Sequence, residues 1–172
     1  LVATFGNFIN RVFVLTHKYF DGSVPKNNGL NDIDLGVLKK AYEYPKLISE
    51  SLDKFKFRQA VSHLIDLSRL GNKYLADEEP WKLYKSGELK RVKQIMFVSL
   101  QVCGMLAILS HPFLPNASKK IKDIINLKET KWTEINIDNP ILNSHNKINK
   151  PELIFRKIED EEIENQIEKL KG

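Results

Sequence analysis

Cysteine is almost missing from this 172-residue chain: Cys103 is the sole one, and it lies inside an apolar run. One thiol builds no disulfide framework and completes no zinc site, and such usage suits a reducing compartment such as the cytoplasm. Histidine is also scarce. His17, His63, His111 and His145 have no partner at metal-ligand spacing, and His63, beside the apolar face of a helical segment, reads as a boundary residue rather than a ligand. There is no Gly-rich phosphate loop, no G-x-S-x-G and no H-E-x-x-H, so a self-contained active site is not expected. No apolar stretch is expected to reach the roughly 18 residues that cross a membrane. The longest, Ile95 to Leu109, is interrupted by Ser99, Gln101 and Gly104. Secretory leader, internal repeat and low-complexity tract are all missing as well. The chain opens on an apolar helical pattern with neither an initiator Met nor a cap, and so reads as a fragment.

What is present is globular. Hydrophobic residues make up 42% and charged residues 28%, enough of the first to form a core and too few of the second for wholesale disorder. Lys plus Arg exceeds Asp plus Glu by 27 to 22, a net of +5. That mild excess is compatible with a polyanion partner but is also common in proteins that bind no nucleic acid.

The apolar residues recur mostly at helical spacing. Leu1 to Phe20 carries Val2, Phe5, Ile9, Val12, Phe13, Thr16 and Phe20 on one face, and Asp21-Gly22 stops it. Asn31 or Asp32 caps a second segment through Leu52, in which Pro45 predicts a kink or a break. Phe55 to Asp77 is the cleanest amphipathic pattern. Gly87 to Ser110 is apolar on nearly every side, as in the buried helix of a bundle. Asn116 is a candidate cap for a helix through Ile125. Residues 126–157 hold no sustained period and read as a loop-rich crossing with one or two short strand-like pieces. Ile158, Ile163, Ile167 and Leu170 then mark a charged terminal helix. The predicted architecture is all-α: a bundle of about five helices over 1–125, then a crossing and a C-terminal helix over 126–172.

Two constellations carry chemistry. Asn7, Arg11 and Lys18 are separated by 4 and 7 residues, and at about 100° per residue they return to one side of the first helix. An amide, a guanidinium and an ammonium in a row suit a ligand with acceptors and negative charge, and Arg and Asn read base edges by directional hydrogen bonds. In isolation the same stripe reads first as a solvated face. Pro80-Trp81 follows a helix end and an acidic pair, which places an indole on a stiffened turn. There it is either a stacking platform for unpaired bases or a plug closing the bundle end. Lys82, Lys85, Lys90, Arg91 and Lys93 follow, as candidate phosphate contacts or as a plain solvent-facing run.

Three blocks of residues go further. Gly6-Asn7-Phe8-Ile9-Asn10-Arg11 with His17-Lys18-Tyr19-Phe20-Asp21-Gly22 resembles the helix that opens the anticodon-binding domain of methionyl-tRNA synthetases. Gly71-Asn72-Lys73-Tyr74-Leu75 leading into Glu79-Pro80-Trp81-Lys82 resembles that family's second signature. Leu153-Ile154-Phe155-Arg156-Lys157-Ile158 with the acidic helix after it resembles the end of the family's common core. The blocks fall in the family's order and cover most of the chain.

The resemblance implies a module that recognises the CAU anticodon loop of tRNA(Met). Trp81 would stack on the first anticodon base, a cytosine. Asn7 and Arg11 would hydrogen-bond base edges, and Pro80 would hold the indole. Asn10, Lys18 and Asn72 lie beside these motifs with no role of their own assigned. The family's HIGH and KMSKS motifs, methionine pocket and frequent zinc knuckle do not occur here. The resemblance therefore implies no cofactor for this chain, with ATP and zinc belonging to a catalytic domain that is a further partner. Two alternatives remain: the equivalent domain of another class I synthetase (for leucine, isoleucine, valine or cysteine), and a helical protein-interaction module with Trp81 fully buried.

Overall fold

Side chains that recur every three or four residues can leave water only by pairing helix faces, and the computed structural model shows how. It describes residues 2–27, 29–128, 130–156 and 158–171; Leu1, Asn28, Glu129, Lys157 and Gly172 lie outside the described residues, as do the side chains of Val2 and Lys171. The expected place of Val2 on the first apolar face, and of Lys157 in the third block, falls there too. Among the described residues the chain is helical, with two isolated bridges, Ser23 to Lys147 and Asn136 to Asn139, in place of strands.

A π-helical turn, Val2–Gly6, runs into α1, Asn7–Phe20. Helices α2, Asp32–Ala41, and α3, Tyr44–Asp53, are the two halves of the segment that Pro45 divides. Pro45 lies in the first turn of α3, where its missing N–H breaks no intrahelical bond. Asn31 caps α2 by a reciprocal pair: its Oδ1 accepts from Asp34 N–H at 2.9 Å, and its own N–H donates to Asp34 Oδ2 at 3.1 Å. Next come α4, Phe57–Glu78, then α5, Pro80–Lys85, α6, Leu89–Leu109, and α7, Pro115–Ile124. Helix α8, Asp160–Lys171, closes the chain.

The bundle up to residue 125 therefore holds seven described α-helices where about five were expected. Pro45 adds one, and Pro80 starts a short helix of its own where a turn was expected. Pro115 likewise opens α7, which makes Leu114 the capping position; Asn116 lies inside the first turn and does not cap it.

Helix α6 is the axis of the core. From Gln94 to Leu109 every residue is buried, against α1, α2, α4, α5 and α7. By length and composition α6 could cross a membrane, which corrects the expectation that no stretch here reaches that length; 94% of its most apolar window is instead covered by its own bundle. Ser99, Gln101 and Gly104 carry no charge and do not lower its apolarity enough to matter.

Residues 126–156 close the remaining side. Gln101 Nε2 donates to Leu142 O at 2.9 Å and Gln101 Oε1 accepts from Leu142 N–H at 3.1 Å, so this amide of the axis satisfies a buried stretch of crossing backbone. Ile141 lies over Gly104, where a Cβ would come within 2.7 Å of its Cγ2. Val24 N–H donates to Asn146 O, and Ile148 N–H to Gly22 O, each at 2.8 Å. Gly22 takes a φ of 70°, and a Cβ there would meet the His17 ring at 2.8 Å. The His17-to-Gly22 motif thus forms a joint between α1 and the crossing, with His17 Nε2 2.9 Å from Asn149 O.

Candidate nucleic-acid interface

The site residues singled out in the sequence lie on α1 and α5. Phenylalanine, isoleucine and valine on one side of α1 face the core, with Phe8, Ile9, Val12, Phe13 and Thr16 buried. That fixes the rotation of the helix, so Asn7 and Lys18 are exposed and Arg11 is half-buried at the edge. On the other side, Glu79 adopts a left-handed φ of 43°, ending α4, and the chain turns at once into Pro80. Pro80 is buried with its φ locked. Trp81 is held at the next position, packed against the core along part of its surface and open along the rest.

The two sides meet. The Arg11 guanidinium carbon stands over the Trp81 ring, 5.1 Å from the centroid, within cation–π range. One turn along α5, Tyr84 stacks on Tyr19 of α1 with ring centroids 4.0 Å apart and planes 16° from parallel. Burial, with the Tyr84 phenol second, pushes the Tyr19 phenol up from its ordinary value, so it stays a neutral donor. Asn7 precedes Arg11 by one turn on the same side of α1. With Asn10 it also lines an apolar cleft of about 360 Å³ floored by Leu153, Ile154 and Phe155. Arg11 and Trp81 are therefore brought together directly, Pro80 is Trp81's neighbour at the head of α5, and Asn7 lies one turn before Arg11 on α1, at the mouth of that cleft. The Tyr19–Tyr84 stack was not anticipated, although the i, i+3 spacing from Trp81 to Tyr84 carried a signal for it.

The basic run after Trp81 divides. Lys85 and Lys90 are exposed, and Lys82 pairs with Glu79 at 2.8 Å on the surface. Arg91 turns inward, against its expected role as a phosphate contact. Its guanidinium donates to both carboxylate oxygens of Asp34, at 2.7 and 2.9 Å, to Glu78 at 2.7 and 3.1 Å, and to Gln94 Oε1 at 3.2 Å. Asp34 is fully buried and also accepts the Tyr74 hydroxyl. Burial pushes its carboxyl up, but hydrogen bonds from Arg91, Tyr74 and Asn31 outweigh that and hold it below the usual range. A guanidinium already satisfied by two carboxylates has little left to offer a phosphate. Asn72 is structural too, donating to Thr4 O at 2.8 Å and tying α4 to the turn before α1. The third sequence block is likewise a packing element: Phe155 meets Phe5 edge-on at 6.1 Å and covers Gly6.

Comparison with known proteins settles the kinship. The family described as the anticodon binding domain of methionyl tRNA ligase matches residues 24–172. The chain belongs to this family. Methionine–tRNA ligase of Christiangramia forsetii is 47% identical over the whole chain, which covers 26% of that protein, and that of Flavobacterium johnsoniae is 41% identical, with 28% covered. The chain thus spans about a quarter of the length of these relatives. Methionyl-tRNA synthetase of Mycobacterium tuberculosis, solved with methionyl-adenylate, has the same fold over 91% of this chain and 31% of its own, with a TM-score of 0.84 at 22% identity. Family membership removes the leucine, isoleucine, valine and cysteine alternatives. A protein-interaction module with Trp81 enclosed is not what an anticodon-binding domain with a half-open indole presents.

Proposed function

We propose that the α1–α5 face reads the CAU anticodon loop of tRNA(Met). Trp81 stacks the first anticodon base, Arg11 and Asn7 hydrogen-bond base edges and keep the loop splayed, and Pro80 fixes the indole at the head of α5. The observation that carries this reading is the guanidinium of Arg11 lying 5.1 Å from the Trp81 centroid, a stacking surface and a directional donor side by side at the edge of the bundle. An exposed cation–π contact is worth about 0.5–1 kcal/mol, less than the roughly 1–3 kcal/mol of a base stacked on an aromatic ring. A base arriving at the indole can therefore displace Arg11 toward its own edge at small cost.

In this reading the longer ligase joins methionine to tRNA with ATP in the cytoplasm. Its ATP site, and zinc where a family member holds it, belong to the catalytic domain, and this chain holds the far end of the tRNA. The test is Trp81→Ala in the full-length ligase. Charging of tRNA should fall about 5- to 150-fold, the equivalent of one lost stack, while methionyl-adenylate formation stays within about twofold. Equal loss of both activities would mean misfolding and count against the assignment.

A further inference from the structure

The turn between α3 and α4 reads Lys54-Phe55-Lys56-Phe57-Arg58, and its two rings are left in water. Phe55 is 79% and Phe57 58% exposed. Their centroids are 6.3 Å apart with planes at 74°, so the pair offers one face and one edge outward. The arrangement is held, not frayed: Phe55 N–H donates to Leu52 O at 2.9 Å and Lys56 N–H to Ser51 O at 2.8 Å. Phe55 sits in the left-handed region at φ 56°, where glycine would be the undemanding choice and a bulky side chain is strained. Lys54, Lys56 and Arg58 are all exposed, and none forms an ion pair among the described residues. Of the nearby acids, Glu50 pairs with Lys46 at 3.8 Å and Asp53 is exposed on the end of α3. Phe55, Lys56, Phe57, Arg58, Gln59 and Ser62 line an open groove of about 740 Å³.

We propose that this turn is a second RNA-contact surface that takes a short unpaired stretch, its bases stacked on Phe55 and Phe57 and its phosphates on Lys54, Lys56 and Arg58. Alternating rings and cations match the alternation of bases and phosphates along a single strand. An apolar protein face would have to desolvate three cations with no carboxylate to meet them. A lipid surface is held by a longer amphipathic helix than two rings provide. Helix α4 has 22 residues, about 33 Å at 1.5 Å per residue; Phe57 opens it, and Trp81 follows just past its other end, in α5. The surface therefore stands apart from the Trp81 site and does not depend on it.

Binding of a fluorescent 12-nucleotide oligouridylate, which contains no CAU, tests this by anisotropy in the 172-residue chain. Phe55→Ala/Phe57→Ala replaces exposed rings, and circular dichroism with thermal midpoints confirms folding. With two stacks lost it should weaken binding at least about 30-fold, and a duplex of equal length should bind less well than the single strand. Lys54→Glu/Arg58→Glu should lower the slope of log affinity against log salt by about 1.4, at about 0.7 per phosphate contact. Affinity unchanged by the Phe pair, or lost only in Trp81→Ala, overturns the proposal. So does binding to phosphatidylserine vesicles that needs both Phe rings while oligonucleotide binding does not. Failure of the anticodon reading would show separately, in the charging assay of the Trp81 variant.

Discussion

Replacing Arg91 by Met tests the buried polar cluster that joins α2, α4 and α6. In the wild-type chain Asp34 has no exposed surface, and Arg91 covers both of its oxygens. Removing one partner of a buried ion pair costs about 3–5 kcal/mol, because the other charge stays behind. Here the Arg91 side chain is 18% exposed, so water can follow it out, and Asp34 keeps the Tyr74 hydroxyl and the Asn31 N–H. The loss should fall near the lower end, about 3 kcal/mol, measured by urea unfolding at pH 7.

The sign of the pH dependence follows from Asp34. Its carboxyl lies below the ordinary value when folded. The wild-type gain is therefore complete above the unfolded carboxylate pKa, near 3.9, and fades as the pH falls through the lower folded value. In the variant, burial without Arg91 raises the same carboxyl, and acid relieves the unpaired charge. The gap between wild type and variant should shrink as the pH falls from 7 toward 3.5. A loss under about 1 kcal/mol, the range of a surface pair, or a gap indifferent to pH, would refute the argument. Adding Asp34→Asn to Arg91→Met should recover part of the loss, as coupled partners do.

Other outcomes follow from single contacts. Arg11→Ala should reduce discrimination among anticodon variants more than overall affinity for RNA; an equal loss for every anticodon would make it a phosphate contact only. Gln101→Leu leaves the buried N–H and C=O of Leu142 unpaired, at about 1–3 kcal/mol for each group, and should open residues 136–146 to limited proteolysis. Gly71→Ala places a Cβ 2.4 Å from Phe8 Cζ. It should cost about 1–3 kcal/mol by overpacking in thermal unfolding, and a change within 0.5 kcal/mol would show that Phe8 can move aside.

Periodicity marked the long helices, since the 3–4 spacing of Phe8, Ile9, Val12 and Phe13 holds whatever they pack against, but it missed the short α5 that Pro80 opens. The buried character of α6 was equally plain from a pattern that is apolar on nearly every side after Gln94. Local backbone chemistry placed the Pro45 break and the Asn31 cap, because both act within one turn. Asn7, Arg11, Pro80 and Trp81 could be picked out by residue type and family motif, but their meeting could not. Whether a guanidinium 70 positions away reaches an indole depends on how α1 rotates against α5, and the whole core sets that rotation. Arg91 shows the same limit from the other side. Within its own segment it was one cation in a basic run, and only the packing of α2 and α4 against α6 brought Asp34 and Glu78 to it and turned a surface charge into a partly buried, fully paired one.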